Sequence, residues 1–421
     1  MGHRYGVEHL NIEIRPQERG LRKLNKIFMR DHQRQYLSLC AAGFFLYFSY
    51  ALSRSPIVPL YAKSLGASSE VVGWAVAAST IAGMLMKLPA GTLSDILGRR
   101  ALLLAGAGIF ALTPFLYPLI ASIAGLMALR FIHGHATAIF SPTASATISD
   151  FSAANERGIR LGLYASVQGI GQTLGPMLSG FLISWQGFKW PFLISGLLGV
   201  AGLLLFLIFP IGASFRERKN ITKNFLQGLR EVADNRGIIM TSVAVASQMF
   251  TVGAYNAFLP LFAKEVAHLE AWHIGVIFGM QTTAALLARP LMGKFSDRFG
   301  RRPIILAALV WCALLMVMLP QLQRFEAMLL FGVAWGFGTA VVSSVASAFI
   351  TDLAKRAHYG AAHGAFGTIF DLGEAAGPII AGMLVARLGY AWMFVIIAMQ
   401  LMVMAAVFAA NRFEKISKEI L

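Results

Sequence analysis

The sequence predicts an all-α integral membrane protein in which twelve transmembrane helices form two pseudo-symmetric six-helix bundles. Three observations support this fold class. Of the 421 residues, 57% are hydrophobic and only 13% are charged, whereas about a quarter of the residues in a soluble domain are charged. The apolar residues are gathered into twelve runs, and a run of about 20 residues can cross a bilayer. The second half of the chain also repeats landmarks of the first half.

The internal repeat has a constant offset. Segment 91–100, GTLSDILGRR, returns as segment 293–302, GKFSDRFGRR, with Gly, Asp, Gly, Arg and Arg in the same places 202 residues later. The same offset joins Asp150 with Asp352, Gly171 with Gly373, Gly175 with Gly377, Pro176 with Pro378, Gly187 with Gly389, and Trp190 with Trp392. Chance matches would drift in register, so a constant offset indicates a duplicated fold.

The apolar runs divide equally between the halves. The first half contains runs at 37–62, 70–93, 101–121, 123–149, 159–185 and 191–211. The second half contains runs at 237–263, 272–294, 303–320, 326–351, 361–386 and 391–410. We therefore predict an N-terminal six-helix bundle at 37–211 and a C-terminal six-helix bundle at 237–411.

The basic residues predict the orientation, because cytoplasmic loops carry an excess of Lys and Arg. One side of the predicted bundle holds Arg99, Arg100, Arg157, Arg160, Arg216, Arg218, Lys219, Arg301, Arg302, Lys355 and Arg356. The basic arm 1–36, the linker 212–236 and the tail 412–421 share this side. We expect both termini in the cytoplasm of a multi-pass protein of the bacterial inner membrane.

Composition argues against several other classes of protein. The formal net charge is +16, but the basic residues lie in short loops rather than on one basic face, so we expect no nucleic-acid partner. Cys40 and Cys312 lie in separate apolar runs, which offers neither a disulfide framework nor a metal site. No nucleophile, base and oxyanion arrangement appears at usable spacing. We expect a non-enzymatic protein without a cofactor or metal, working as a monomer on a small molecule.

The repeated segments carry the pattern Gly-x-x-x-Asp-x-x-Gly-Arg-Arg. Two copies in corresponding positions are a strong signal, and over residues 37–411 the chain resembles the major facilitator superfamily. The resemblance implies a secondary transporter that works by alternating access between two bundles. It uses an ion gradient rather than ATP, and the sequence contains no phosphate-binding loop. The signature residues are Gly91, Asp95, Gly98, Arg99, Arg100, Gly293, Asp297, Gly300, Arg301 and Arg302.

In the resembling family this loop latches the outward-open form, which implies a conformational role for the signature. Gly91 and Gly293 would let the helix end pack closely. Asp95 and Asp297 would accept hydrogen bonds from the N-terminus of a neighbouring helix, whose dipole favours an anion. The alternative is that the signature only fixes the orientation of the chain in the membrane. That role would explain the arginines but not the aspartates or glycines.

The fourth predicted helix carries a charge inside the bilayer. Its Leu126-x-x-x-Arg130-x-x-His133-Gly134 is similar to a family motif in which a buried arginine takes part in proton transfer, although family members usually have Gln where His133 stands. An unpaired charge at such a depth costs about 2.5 to 3.5 kcal/mol, and histidine titrates near neutral pH. Arg130 and His133 are therefore proton-coupling candidates. A hydrogen-bonded core histidine is the alternative for His133.

The fifth and eleventh helices share a motif of glycine and proline. Glycines four apart allow close helix contact, and proline bends a helix. The fifth-helix version resembles the fingerprint of drug:proton antiporters, which favours export; tight packing without directional meaning is the alternative. The residues concerned are Gly171, Gly175, Pro176 and Gly180, echoed by Gly377 and Pro378.

Charges inside the predicted bilayer mark a cavity or pair with one another. Asp371 and Glu374 are three residues apart on one helical face, with Asp371 near mid-membrane at about 1.5 Å per residue. Two close, buried carboxylates favour binding a proton, so both are proton-coupling candidates. A static ion pair with Lys87 or Arg130 is the alternative. We expect Lys87 and its repeat equivalent Arg289 to reach the cytoplasmic face.

The family builds its transport site from the first, fourth, seventh and tenth helices. The resemblance therefore implies the cavity candidates Tyr47, Tyr50, Arg54, Gln248, Tyr255, Asn256 and Trp335. The first helix departs from the usual drug antiporter, because it carries Arg54 and no acid. This departure keeps an anionic or zwitterionic substrate open.

The sequence thus favours a carrier driven by a proton gradient that exports a small amphipathic or drug-like compound. A carrier of an organic anion, a sugar derivative or a metal complex, working in either direction, is the first alternative. A transporter-like sensor or assembly partner that acts through the basic arm is the second.

Overall fold

The computed structural model describes residues 16–153, 156–208, 230, 232–355 and 359–411 of the chain. Side chains are described from residue 33 onward, apart from those of residues 88, 91, 92, 95 and 96. The predicted linker and tail therefore fall largely outside the described residues, whereas residues 16–36 of the predicted arm belong to the first helix, Pro16–Leu52. Within the described ranges all regular structure is helical and no strand occurs, which confirms the predicted all-α class.

Twelve α-helices have both bounds within the described part of the chain. They are α1 Pro16–Leu52, α2 Ile57–Ser64, α3 Ser69–Leu97, α4 Arg99–Leu116, α5 Ile123–Phe151, α6 Arg157–Gln186, α7 Lys189–Ile208, α8 Arg236–Glu265, α9 Ala271–Phe299, α10 Arg301–Met318, α11 Phe325–Leu353 and α12 Tyr359–Ala410. Short 3₁₀ turns extend α4 at Tyr117–Leu119 and α10 at Leu319–Gln321.

These helices supply twelve membrane crossings. In the part of the chain that the structure describes, ten segments are long and apolar enough to span a bilayer, and α6 is not among them. One of the ten is α12, whose 52 residues bend back at Gly389. Both ends of α12 lie at the same end of the molecule. Near the C-terminus of α12, the Ala409 carbonyl accepts a hydrogen bond from Arg302 at the start of α10 (2.6 Å). Near its N-terminus, His363 contacts Thr351 at the end of α11 (3.0 Å). With α6, and with α12 counted twice, the crossings number twelve.

The first crossing is interrupted, whereas the sequence predicted a continuous run at 37–62. Helix α1 ends at Leu52 and α2 begins at Ile57. Pro56 lies in the break, and proline has no N–H to continue a helix. Irregular backbone at membrane depth is tolerated where it lies inside protein or lines a cavity. The break therefore marks the interior of the bundle.

The 202-residue repeat reappears in the helix boundaries. Helices α3, α4 and α5 begin and end 202 residues before α9, α10 and α11. Gly98 and Gly300 join two of these helices with φ of 85° and 89°, in the left-handed region that favours glycine. The second glycine of the signature is therefore a requirement of the backbone turn.

Two equivalent glycine contacts join the halves at one end of the molecule. A Cβ added at Gly73 on α3 would lie 2.2 Å from the Pro378 carbonyl oxygen on α12, and one added at Gly275 on α9 would lie 2.5 Å from the Pro176 carbonyl oxygen on α6. We call this pair of contacts the glycine seam. The end of the molecule that contains it is the seam end, and the opposite end, with Arg99 and Arg301, is the arginine end.

The halves are joined at the seam end and separate toward the arginine end. Described residues of the two halves contact each other from the seam as far as two positions. At one of them Lys87 pairs with Asp371, and at the other Gly169 lies against Leu286. Nearer the arginine end, a Cβ added at Gly162 on α6 or Gly364 on α12 would meet nothing within 4 Å. The space between the halves therefore opens toward the arginine end.

Candidate functional site

A polar cavity lies between the two halves. Its volume is about 410 Å³, and residues of α1, α3, α5, α6, α8, α9 and α12 line it together with the break after α1. The polar and charged lining consists of Tyr47, Tyr50, Arg54, Ser55, Ser79, Thr80, Lys87, Thr137, Ser141, Gln172, Asn256, Gln281, Thr282, Asp371 and Glu374. A site built from both halves changes shape whenever the halves move relative to each other.

Two ion pairs cross the cavity from one half to the other. Arg54, in the break after α1, donates through Nη2 to Glu374 Oε1 at 2.5 Å. Lys87 on α3 donates through Nζ to Asp371 Oδ2. Both carboxylates come from α12, where a spacing of three residues places them on one face. The N-terminal half thus supplies both cations and the C-terminal half both anions.

The two pairs lie at different depths. The Lys87 side chain is 49% exposed and lies toward the arginine end, although its partner Asp371 is only 8% exposed. Arg54 and Glu374 are 32% and 18% exposed, and Glu374 lies one helical turn farther from the arginine end. The Lys87–Asp371 pair therefore lies near the mouth of the cavity, and the Arg54–Glu374 pair lies deeper.

Arg130 and His133 form a buried group beside the cavity. Both side chains are fully buried. Arg130 Nη2 donates to Ser79 Oγ, while Nε and Nη1 have no hydrogen-bond partner. His133 Nδ1 lies 3.2 Å from the Tyr117 hydroxyl, and Nε2 has no partner. Ser79 also lines the cavity, so it connects the Arg130 guanidinium to the candidate site.

Four of the seven predicted cavity residues, Tyr47, Tyr50, Arg54 and Asn256, do line the cavity. The other three do not, because Gln248, Tyr255 and Trp335 are fully buried in the core of the C-terminal half. The rings of Tyr255 and Trp335 pack with their centroids 5.2 Å apart. Helix α11 is apolar on nearly every side, so its sequence does not reveal how its faces are oriented, and none of its residues lines the cavity.

The signature loops hold neighbouring helices together within each half. Arg99 pairs with Asp150 (3.3 Å), and Arg301 pairs with Asp352 (3.0 Å), so each ties the start of one helix to the end of another. Arg302 donates to carbonyls at the end of α12, and Arg100 is exposed. In the arrangement seen here, each of these ties lies within one half.

Two expectations about the signature need correction. A Cβ at Gly293 would meet nothing within 4 Å, so close packing is not what this glycine provides here. The Asp297 carboxylate pairs with the Arg301 guanidinium at 2.7 Å, so a side chain rather than a helix N-terminus is its partner. The Asp95 side chain and the surroundings of Gly91 lie outside what the structure describes.

The glycine and proline motif forms close contacts in both halves. A Cβ at Gly171 or Gly175 would press on α1, and one at Gly377 would lie 2.0 Å from the Phe250 carbonyl oxygen on α8. Pro176, Gly180 and Pro378 instead meet the other half at the seam end. The motif therefore packs α6 and α12 both within their bundles and across the molecule.

Sequence reasoning left several polar lining residues of this site unnamed and favoured the wrong position for Lys87. Lys87 was expected to reach the membrane surface, with an ion pair to Asp371 or Glu374 as the alternative, and the structure has it paired with Asp371 in the cavity. Gln172 was not singled out, although it lies 202 residues before Glu374 and lines the cavity. The repeat register alone would have found Gln172.

Two six-helix bundles around a shared central cavity define a membrane carrier of the alternating-access class. A sequence model of the Major Facilitator Superfamily matches residues 39–285 and 241–419. The chain belongs to this family, and it is an integral, multi-pass membrane transporter of small molecules.

Known relatives share the family across most of their length. The chain is 24% identical over 344 residues to an uncharacterised MFS-type transporter of Methanocaldococcus jannaschii, covering 81% of this chain and 88% of the relative. It is 23% identical over 331 residues to the quinolone resistance protein NorA of Staphylococcus aureus, covering 78% and 84%. The solved structure of the nucleoside transporter NupG superposes with a TM-score of 0.76 at 16% identity, covering 89% and 98%.

Proposed function

We propose that the protein is a proton-coupled exporter of small amphipathic or drug-like compounds. The observation that carries this proposal is the pair of carboxylates on one face of α12. Asp371 and Glu374 line the cavity, and each is bound to a cation of the other half. Protonation of either carboxylate therefore changes the charge of the cavity and also weakens an ion pair that joins the halves.

Protonation changes the balance between the two arrangements of the halves. A neutral Asp371 or Glu374 no longer attracts Lys87 or Arg54, so a bond across the cavity weakens. The arrangement seen here is then stabilised less, and the population shifts toward the alternative arrangement. Arg130 and His133, connected to the cavity through Ser79, are proposed as additional proton-coupling groups, and the signature loops as the conformational latch.

Two further observations support export. By the positive-inside rule the arginine end faces the cytoplasm, so the cavity seen here opens toward the cytoplasm and receives its substrate there. The relative NorA is named for quinolone resistance, which is consistent with removal of a drug-like compound from the cell. The carrier would then release its substrate outside in exchange for protons.

Transport in inverted membrane vesicles tests this function. A respiration-driven pH gradient is formed, and proton release is read with a pH-sensitive dye while cationic, anionic, dipolar and neutral amphipathic compounds are added. We expect release with at least one compound in the wild type and a decrease of about tenfold or more in Asp371→Asn and in Glu374→Gln. Glu265→Gln is the matched control, because Glu265 also pairs with a cation of the other half, Lys63 at 3.6 Å, but does not line the cavity.

A carrier of an organic anion, a sugar derivative or a metal complex is the second candidate. It is favoured by the cations Arg54 and Lys87 in the cavity and the buried Arg130 beside it, which outnumber the two acids. The likeness to a nucleoside transporter is consistent with this candidate. Substrate movement without any proton signal in the vesicle assay would favour it over proton-coupled export.

A further inference from the structure

The deep ion pair restricts the charge of the substrate, an inference that rests on the proposed function. We infer that the cavity takes a dipolar compound whose acidic group binds Arg54 and whose ammonium group binds Glu374. Each class of substrate that enters between these two side chains would leave a different protein charge without a partner.

A singly charged compound satisfies only one side of the pair. A cation that binds Glu374 displaces Arg54, and the guanidinium, only 32% exposed, loses its carboxylate. An anion that binds Arg54 leaves the Glu374 carboxylate, 18% exposed, without its partner. Removing one partner of a desolvated charge pair costs far more than the pair contributes. Both singly charged classes are therefore disfavoured.

A dipolar compound satisfies both sides at once. Its acidic group replaces Glu374 as the partner of Arg54, and its ammonium replaces Arg54 as the partner of Glu374. The two protein charges belong to opposite halves, so the compound bridges the halves as the direct ion pair did. No cavity charge is lost when the direct contact between Arg54 and Glu374 is broken.

The side chains around the deep ion pair fit a compound that has an aromatic or apolar segment between its two charged groups. The Tyr50 ring lies beside Arg54, with its centroid 5.8 Å from the guanidinium carbon. Phe278 from the other half also lines the cavity. Aromatic side chains beside a charged group suit a compound that is apolar in its middle and charged at its ends.

Four derivatives of one fluorescent compound test the inference. A piperazinyl-naphthoic acid is dipolar at neutral pH, its methyl ester is a cation, its N-acetyl derivative is an anion, and the N-acetyl ester is neutral. Binding to the purified full-length protein is measured by fluorescence polarisation. We expect the dipolar acid to bind at least about tenfold more tightly than either singly charged derivative, because each of those leaves one partly buried charge of the protein without a partner.

Single substitutions should create opposite preferences. In Arg54→Gln the Glu374 carboxylate is free, and we expect the cationic ester to bind more tightly than the anionic derivative by about tenfold. In Glu374→Gln the guanidinium is free, and the order should reverse. A reversal cannot arise from general misfolding. Lys63→Gln and Glu265→Gln, which alter the ion pair outside the cavity, should keep the wild-type order.

Each other outcome contradicts the inference. Equal binding of the ester and the dipolar acid by the wild type would overturn it while leaving proton-coupled export intact. Equal binding of the anionic derivative, strengthened as the pH falls, would replace it with an anion carried together with a proton. A failure of all four compounds to bind would overturn both the inference and the proposed drug-like substrate.

Discussion

The N-terminal and C-terminal halves share one scaffold but bring different charges to the cavity. In the scaffold, Arg99 pairs with Asp150 in the same way that Arg301 pairs with Asp352. The helix boundaries of α3 to α5 and α9 to α11 keep one offset. The features that hold helices together are therefore present twice.

The cavity does not keep this symmetry. Arg54 corresponds through the repeat to Asn256, and Glu374 corresponds to Gln172. All four residues line the cavity, so Arg54 and Glu374 each have a neutral, polar equivalent on the other side of the pseudo-symmetry axis. Identical halves would repeat both charges, and like charges would face each other across the axis. With one charge at each pair of equivalent positions, the deep ion pair has a single orientation.

The difference separates two kinds of requirement. Contacts present in both halves serve the bundles and the closing of the molecule, whichever way it faces. Under the proposed function, the charges of the deep ion pair, present in one half only, serve the substrate and the proton. The feature whose loss we expect to cost the most activity is the glycine seam.

The glycine seam should be equally sensitive in both halves. In Gly73→Ala the new Cβ would lie 2.2 Å from the Pro378 carbonyl oxygen, and in Gly275→Ala it would lie 2.5 Å from the Pro176 carbonyl oxygen. Such overlap costs about 2 kcal/mol, or roughly thirtyfold in the population of the seam-closed form. We expect both variants to lose transport in proteoliposomes to a similar degree.

The control for the seam is Gly364→Ala, whose Cβ would meet nothing within 4 Å. Labelling of a cysteine at position 172 with a membrane-impermeant maleimide reports which side of the cavity is open. Access from the seam end should rise in both seam variants and stay unchanged in the control. A large effect at Gly73 with none at Gly275 would contradict the equivalence of the halves.

Exchanging the cavity charges through the repeat tests the asymmetry itself. The double variant Arg54→Asn with Glu374→Gln removes the deep ion pair, and we expect it to lose about tenfold in proton-coupled transport. Adding Asn256→Arg and Gln172→Glu rebuilds the pair in its mirror position. If the scaffold is symmetric, the fourfold variant should regain much of this loss.

Two comparisons make that exchange decisive. Asn256→Arg with Gln172→Glu in the otherwise natural chain adds a second deep ion pair to the cavity, and it should not increase transport. A fourfold variant that stays as inactive as the double variant, while it folds with the same thermal stability, would show that the surroundings of the pair differ between the halves as much as the charges do.

The fold was largely predictable from the sequence, because long apolar runs and a constant offset leave few alternatives. The helices, their number and the equivalence of the halves followed from these patterns. The break after Leu52 was missed even though Pro56 was visible, since proline also occurs within continuous helices here, as Pro89 does in α3. Tertiary surroundings decide whether a proline bends or interrupts a membrane helix.

The partners within the site were less predictable than its residues. Asp371 and Glu374 were singled out from their spacing, but Lys87 and Asp371 lie 284 positions apart, and their meeting depends on how the halves pack. Trp335 lies in a helix without a clear polar face, so its burial away from the cavity was not readable. Hydrophobic pattern gives the depth of a residue in the membrane, whereas rotation about the helix axis comes from packing.

The buried Arg130 should lower the stability of the folded protein, because it is retained for transport rather than for packing. Two of its nitrogens have no hydrogen-bond partner, and its repeat equivalent is Gly332, so this charge is present in one half only. Arg130→Met removes a buried charge at similar volume, which is often stabilising by about 1 to 3 kcal/mol. We expect a higher melting temperature of the purified protein together with slower transport.

Lys87→Met also replaces a cation with methionine, but we expect it to change the melting temperature in the opposite direction. It leaves Asp371, 8% exposed, without its partner, so the melting temperature should fall. If Arg130→Met instead lowers the melting temperature as much as Lys87→Met does, then Arg130 is a structural residue, and its proposed part in proton coupling is wrong.

The smallest expected effect is a difference between the two arginine ties. The Arg99–Asp150 pair is more enclosed, with side chains 12% and 19% exposed, than the Arg301–Asp352 pair, with 20% and 48%. Solvent screens the second pair more strongly, so double-mutant cycles with Gln and Asn should give a coupling energy of about 1 kcal/mol for the first and roughly half of that for the second. The longer N–O distance in the first pair, 3.3 Å against 3.0 Å, would predict the reverse order. A larger coupling for Arg301–Asp352 would therefore mean that distance outweighs screening at this surface, and that the scaffold of the two halves is less equivalent in energy than in shape.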